Sequence, residues 1–322
     1  MDELVSVIIP AYNHERYIRQ AIESVINQTY DLIELLVIDD GSTDKTWDII
    51  CSLKPVCEKR FYRTFFDQQT NQGTCVTLNR LLAEANGIYI TSLASDDLMI
   101  PDLTEEGITF LQHHPDYQVV HFDATFIDED SKAVFWDEKR RVVHDRESAK
   151  YLSMADWLRK SRPDVDFLSS EFGTYESLLK GNYIPSAPFF CRSLLEKTGV
   201  YAKSAPLEDW YLSMQMAKHT RLKFIDKPLW RYRWHPANTA KQKKRMTEMA
   251  RLTWLYEIRQ AIAGKDETVI AAMHQHCRRE KTILDWGKVK LYKSKSFDGK
   301  KIVLRLGSKE FSTTYSRRDK IV

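Results

Sequence analysis

Glu34-Leu35-Leu36-Val37-Ile38-Asp39-Asp40-Gly41-Ser42-Thr43-Asp44 is the most informative stretch of this 322-residue chain. Glu34 to Ile38 is an apolar run of strand length, as expected for a strand buried on both faces. It stops at two adjacent carboxylates and a glycine. Ser42 or Thr43 can then cap a helix that continues to Leu53. The same alternation repeats on either side. Leu4 to Pro10 is an apolar, β-branched run, and Asn13 can cap the helix behind it, where Ile18, Ala21, Ile22, Val25 and Ile26 recur at helical spacing. Downstream, Arg60 to Phe66 reads as a strand, Thr74 to Ala85 as a helix closed by Gly87, and Ile88 to Leu93 as a strand running into Ser95-Asp96-Asp97. Repeated strand–helix units predict an α/β fold with a Rossmann-like, mostly parallel sheet flanked by helices.

Polar residues gather where these strands end: Tyr12-Asn13, Asp39-Asp40-Gly41-Ser42 and Asp96-Asp97. In an open parallel sheet, ligands bind outside the carboxyl ends of the strands. Three such clusters define one rim, where a nucleotide is expected. Beyond Pro101 the pattern reads as a helix from Asp102 to His114, then strands at Tyr117 to Phe122 and Lys132 to Trp136 forming a hairpin around Asp128-Glu129-Asp130. Ser153 to Gly181 reads as helix and loop. Ala187 to Cys191 and Leu229 to Trp234 read as strands, with an amphipathic helix from Glu208 between them. Thr247 to Lys293 reads as mostly helical, with a further strand at Lys300 to Leu306. The expected division is 1–240, with halves 1–100 and 101–240, followed by a helical, basic extension over 241–322.

Composition is that of a soluble globular protein, with net charge +3. From Arg278 to the end there are fourteen Lys/Arg against five Asp/Glu. Such a tail can meet an anionic membrane surface, or simply form a solvated face. The five cysteines fit no zinc spacing. The opening MDELVSVIIP lacks the basic region of a signal peptide, and no run approaches the roughly eighteen apolar residues of a membrane span. A cytoplasmic chain with reduced thiols is expected.

Each acidic cluster has two readings. Asp96-Asp97 after a buried strand suits a divalent cation bridging phosphates, because adjacent carboxylates repel unless a positive charge joins them; one of them could instead cap a helix. Asp39-Asp40 can accept a hydrogen bond from a base or ribose, or build a turn. Tyr12 can stack on a base or pack a loop. Glu208-Asp209 at a helix start can supply a base or complement the helix dipole.

Taken together, Val5 to Asn13, Ser24 to Tyr30, ELLVIDDGSTD, Asn71-Gln72-Gly73 with Asn79, Ala85 to Ile90, Ser95-Asp96-Asp97, Phe190 to Ser193 with Gly199, Glu208-Asp209-Trp210 and Tyr232 to Asn238 resemble family 2 glycosyltransferases of the GT-A fold, over about residues 4 to 240. The resemblance implies a metal-dependent, inverting sugar transfer from a nucleotide diphosphate donor, commonly a UDP-sugar, with Mn²⁺ or Mg²⁺. It implies an acceptor such as a lipid-linked oligosaccharide in bacterial surface-polysaccharide (O-antigen or capsule) synthesis, at the inner face of the membrane. Position by position, Tyr12 would stack on the base, Asp40 would hydrogen-bond it and Asp39 would support that loop, with Pro10, Asn71 and Gly73 also binding substrate. Asp96 would contact ribose or phosphate, and Asp97 would ligate the metal. Asp209 would be the general base and Glu208 would orient the acceptor. Arg233 and His235 would lie near the diphosphate. Two departures stand out. Ala94 occupies a position where many members carry a further Asp, and Leu78-Asn79 replaces a common Arg-Asn pair, so a basic contact is expected to be absent. A nucleotidyltransferase would need a Gly-rich basic loop that Ala11 to Arg19 lacks. A degenerate, non-catalytic member is disfavoured by the retention of Asp40, Asp97 and Asp209. No nucleic-acid-binding motif is present, and no nucleic-acid partner is expected.

Overall fold

A computed structural model describes residues 3–265 and 267, together with the backbone of 281–286, 289–296, 299–306 and 309–315. The chain divides into two compact units. The first comprises residues 1–174, 183–201 and 215–237; the second comprises 175–182, 202–214 and 238–322.

The first half alternates β1 (Val5–Ala11), α1 (Ile18–Ile26), β2 (Ile33–Asp39), α2 (Thr46–Arg60), β3 (Arg63–Gln68), α3 (Thr74–Glu84) and β4 (Tyr89–Ser92). Then come β5 (Leu98–Met99), α4 (Leu103–His113), β6 (Tyr117–Ile127), β7 (Ala133–Trp136), β8 (Val142–Val143) and α5 (Met154–Ser161). They are followed by α6 (Tyr175–Leu178), β9 (Phe189–Cys191), α7 (Leu195–Thr198), α8 (Glu208–Ala217), β10 (Arg221–Arg233) and α9 (Lys243–Gly264). The sheet of the first unit runs in the order β3-β2-β1-β4-β9-β6-β10-β5, with β7 and β8 added beside β6. The pairs β2–β3, β1–β2, β1–β4 and β6–β10 are parallel, whereas β9 is antiparallel to both β4 and β6. The carboxyl ends of β1, β2, β4, β6 and β10 therefore share one edge.

The strands form because both faces are covered. Val5, Val7 and Ile9 of β1 and Ile33, Leu35 and Val37 of β2 pack with the Ile18–Ala21–Ile22–Val25 stripe of α1 and with Ile50 and Leu53 of α2. On the opposite face α3 packs against β1 and β2, burying Leu78, Leu81 and Leu82. Pro10 lies where β1 can tolerate a missing N–H, since pairing with β4 ends at Ile8–Ser92.

In the second unit, Leu207 N–H donates to Thr253 Oγ1 (2.9 Å), Trp210 Nε1 to Leu178 O (3.0 Å) and Tyr175 OH to Glu257 (2.7 Å), fixing α6, the start of α8 and α9 together. Beyond α9 the expectation of continued helix fails. Lys281–Trp286, Val289–Ser296, Gly299–Leu306 and Lys309–Tyr315 (β11 to β14) form a four-stranded antiparallel sheet in chain order. The physical reason is in the composition: Val, Leu, Tyr and Ile recur among the lysines of this stretch, and β-branched and aromatic residues favour a pleated surface. Among the described residues, no helix is long and apolar enough to cross a membrane.

Candidate active site

Asp39 and Asp40 end β2 as expected, and their oxygens organise the rim. Asp39 accepts from Ser42 N–H (3.1 Å), from the Ser42 hydroxyl and from Gln68 Nε2 (2.8 Å). Asp40 is 4% exposed and accepts from Gln72 N–H (2.9 Å), Gly73 N–H (2.9 Å) and Gln69 Nε2 (2.7 Å). A carboxylate offers about four acceptor sites, so three internal donors leave about one for a ligand. Asp40 thus knots the loop from Gln69 to Gly73 to the strand end. Gly41 is required there: its φ is +75°, and a Cβ would stand 2.7 Å from Asn71 N. Asn71 and Tyr12 are exposed at this edge, Tyr12 at 46%.

Arg80 sets Gln69. It donates to Gln69 Oε1 (2.6 Å) and pairs with Asp67 (2.5 Å). Arg80, one residue after Leu78-Asn79, thus spends its guanidinium on Gln69 and Asp67. Asn79 instead brackets the Tyr201 backbone, accepting its N–H (3.0 Å) and donating to its carbonyl (2.9 Å).

The loop after β1 is tied to the loop after β2. Asn13, with φ 52°, accepts from Thr43 N–H (2.8 Å), and its own N–H donates to Ser42 Oγ. His14 N–H donates to Thr46 Oγ1 (2.8 Å). α2 starts at Thr46 with Lys45, not the expected Ser42 or Thr43, at its N-cap and no side-chain cap there; Asp44 accepts from Thr46 N–H and Oγ1 just before it. Asn13 likewise serves this loop junction instead of capping α1, which starts at Ile18 without a side-chain cap.

These ties bring His14 to the third cluster. His14 Nδ1 lies 2.7 Å from Ser95 Oγ, His235 Nε2 lies 2.9 Å from Asp96 Oδ2, and His14 Nε2 lies 4.0 Å from the same oxygen. One ligand atom from each of His14, Asp96 and His235 falls within 4.8 Å of the others. Two imidazoles and a carboxylate are a donor set suited to a first-row divalent ion such as Mn²⁺ more than to Mg²⁺, which prefers oxygen alone. Ser95 is compatible with this fit: when His14 Nδ1–H donates to Ser95 Oγ, Nε2 is the lone-pair nitrogen. Burial would raise the Asp96 carboxyl, but the His235 hydrogen bond and the charges of both histidines hold it below the ordinary range. Burial lowers His14, with the His235 charge adding to it and Asp96 opposing.

Asp97, expected as the metal ligand, is not in this trio. Its Oδ1 accepts the Arg233 backbone N–H (2.8 Å), and burial together with the Asp96 charge pushes its carboxyl well above the ordinary range. Neighbouring residues of a tight turn point apart, which sends Asp96 to the histidines and Asp97 to β10. Arg233, expected beside a diphosphate, is fully buried. Its guanidinium donates to Asp96 O (2.7 Å), Asp128 O (3.0 Å), Ser131 Oγ (2.9 Å) and Gln20 Oε1 (2.7 Å).

In the second unit, Glu208 and Asp209 open α8. Trp210 N–H donates to Asp209 Oδ1 (2.6 Å), and an Asn182 hydrogen bond also favours the charged form. Dense protein surroundings nevertheless raise Asp209, although its side chain reaches solvent. Glu208 is pushed up to about 7 by burial and by the Asp209 charge. His14, Gln69 and Arg80 are the site residues that sequence reasoning passes over. A histidine directly behind the Tyr12-Asn13 strand end is the one signal available for the first, and none marks the other two.

The profile described as glycosyl transferase family 2 matches residues 6–162. An uncharacterized glycosyltransferase of Haemophilus influenzae is 45% identical over 112 residues, 34% of this chain and 44% of that protein. The UDP-Glc:alpha-D-GlcNAc-diphosphoundecaprenol beta-1,3-glucosyltransferase WfaP of Escherichia coli is 39% identical over 113 residues, 34% of this chain and 42% of that protein. These matches span less than half the length of either relative. Among solved structures, the mannosyltransferase PcManGT of Pyrobaculum calidifontis, in complex with GDP-Man and Mn²⁺, superposes with TM-score 0.58 at 17% identity, over 82% of this chain and 65% of that one. S. aureus TarS 1-349 with UDP-GlcNAc gives TM-score 0.57 at 20% identity, over 85% and 72%. The fold is that of GT-A glycosyltransferases.

Proposed function

We propose that this chain, whose residues 6–162 match the glycosyl transferase family 2 profile, transfers a sugar from a nucleotide diphosphate donor to an acceptor hydroxyl with inversion. The observation that carries this reading is the convergence of His14, Asp96 and His235 beside the Asp39–Asp40 rim, at the carboxyl edge of a parallel sheet. A divalent ion held by that trio, with Mn²⁺ the better fit, would neutralise charge developing on the departing diphosphate. Tyr12 offers an exposed ring to the base. The remaining acceptor capacity of Asp40 and the loop 69–73 orient it. Asp209 is the base that takes the acceptor hydroxyl proton, and Glu208, holding its own proton up to about pH 7, orients the acceptor. The named neighbours are in complex with GDP-Man and UDP-GlcNAc, and WfaP is named for a diphosphoundecaprenol-linked sugar. On that basis a UDP-sugar donor and a lipid-linked saccharide acceptor in surface-polysaccharide synthesis are the favoured substrates. The basic tail would then hold the chain against the anionic inner face of the membrane.

The test is a thermal-shift and donor-hydrolysis panel of UDP-, GDP-, dTDP- and CMP-sugars with and without Mn²⁺. Mn²⁺-dependent stabilisation by UDP-sugars is expected. No response to any nucleotide would overturn the reading and favour a non-catalytic binding role.

A further inference from the structure

We propose that Arg140, caged by the indoles of Trp136, Trp157 and Trp234, forms a separate subsite that binds the oxyanion of a negatively charged acceptor saccharide; as an acceptor site, it rests on the glycosyl-transfer reading above. All four residues belong to the first unit. Arg140 sits in the turn between β7 and β8 with φ 58°, a left-handed conformation disfavoured for a residue with a Cβ. Gly, Asn or Asp ordinarily fills such a position, so a long cationic side chain there points to a use for that side chain. Its guanidinium carbon lies 5.0 Å from the Trp157 ring centroid, 5.9 Å from that of Trp234 and 6.0 Å from that of Trp136. These distances are within cation–π range. Trp136 stacks on Phe126 of β6 at 3.8 Å, which fixes the cage to the sheet.

The indoles half-bury this cation and offer it no hydrogen-bond acceptor. Nearby carboxylates are engaged elsewhere: Asp137 with Arg141, Glu138 with Lys150 and Asp156 with Lys160. Among the described residues, nothing accepts a hydrogen bond from the Arg140 side chain. A guanidinium carries five N–H donors in a planar fork that matches a carboxylate or a phosphate. Trp157 is partly exposed, and an indole is a surface on which a pyranose can stack. Trp234 immediately precedes His235 of the proposed cation site in the chain. The ligand class is a sugar ring bearing an oxyanion, either the carboxylate of a uronic acid or a phosphate ester.

The test is calorimetric binding to the full chain, without turnover, using methyl glucuronoside, methyl glucoside 6-phosphate and neutral methyl glucoside. Both anionic probes should bind more tightly than the neutral one, and the tighter of the two identifies carboxylate or phosphate as the source. Arg140→Gln should weaken the anionic probes about tenfold or more, the scale of a lost charged hydrogen bond. It should leave nucleotide-sugar and Mn²⁺ affinity unchanged. Arg140→Lys, which keeps the charge but not the fork, and Trp157→Phe should fall between, and they carry the comparison if Arg140→Gln does not fold. Equal binding of the neutral probe, wild-type affinity in Arg140→Gln, or no binding of any probe would overturn the proposal. Anionic binding in a chain that binds no nucleotide sugar would instead sink the transfer reading and leave this site standing.

Discussion

His235 Nε2 stands 2.9 Å from Asp96 Oδ2, although the two residues are 139 positions apart in the chain. This pair and His14 form the proposed cation site, so on that reading each should control metal affinity. Asp96→Asn, His235→Gln and His14→Gln should each lower Mn²⁺ affinity by about 10–100-fold, as titration calorimetry or Mn²⁺ electron paramagnetic resonance would show. Asp97→Asn should have a smaller effect, because its carboxylate is engaged by the Arg233 backbone. An equal loss would place Asp97 in the ligand set.

Among the described residues, Arg80 connects to Asp40 of the proposed nucleotide rim through Gln69. Arg80→Gln should therefore loosen the loop 69–73 and weaken donor affinity several-fold, by about 1 kcal/mol, the scale of a lost hydrogen bond. Mn²⁺ affinity should stay unchanged. Isothermal titration with the nucleotide diphosphate separates the two readouts, and a fall in Mn²⁺ affinity would show that Arg80 acts more widely.

Transfer should rise with pH through about 7, because the Glu208–Asp209 pair retains a proton below that value and a base must be free to accept one. Asp209→Asn should abolish transfer while leaving donor binding intact. Glu208→Gln should move the rising limb of kcat to lower pH. The stability consequence has the opposite sense. Glu208 is raised above its ordinary 4.5, so the folded chain binds the proton more tightly than the unfolded chain between 4.5 and about 7. The stabilising contribution is present below 4.5 and is lost as pH climbs through 7. Glu208→Gln should therefore raise Tm relative to wild type at pH 8 and not at pH 4, as scanning calorimetry would test.

Glu34 closes the opposite end of the sheet. Its buried carboxylate accepts from Ser6 Oγ (2.6 Å), Asn86 N–H (2.5 Å), Gly87 N–H (3.1 Å) and Arg63 (3.2 Å). Glu34→Ala strands these donors and should cost about 3–5 kcal/mol in urea unfolding. Gly87→Ala would put a Cβ 2.6 Å from Ser6 N and Oγ, and about 1–3 kcal/mol of overpacking is expected. Both variants should retain donor affinity at temperatures where they remain folded.

The basic tail is best tested by charge rather than by truncation, since a cut near Lys288 removes three strands of the C-terminal sheet. Lys290, Lys293, Lys295, Lys300 and Lys301 lie on β12 and β13. Converting all five to Gln should reduce sedimentation with phosphatidylglycerol vesicles, at about 1 kcal/mol per charge that nears the surface. Unchanged sedimentation would remove the membrane role.

Much of the architecture is legible because β1, β2 and β4 are buried runs and α1 carries a clean apolar stripe. The start of β10 is not. Arg221 to Pro228 mixes charges with Leu222 and Phe224, and its register shifts around Pro228, so local pattern is weak where pairing with β6 does the work. The C-terminal sheet is obscured by lysines that suit a helix as well as a strand. At the site, strand-end carboxylates announce themselves, but their assignments do not: which of Asp96 and Asp97 meets the histidines depends on where β10 returns. Gln69 and Arg80 act through contacts that only the closed fold creates.

Arg233 is lashed to the backbone at Asp96 and Asp128 and to Gln20 and Ser131, with no exposure to solvent. The entropy of ordering these segments is therefore lost once, when the chain folds, and not again at each encounter with substrate. A rim built this way is preorganised. Binding should then proceed without a slow rearrangement step, and differences among competing donors should lie in how fast they leave rather than how fast they arrive.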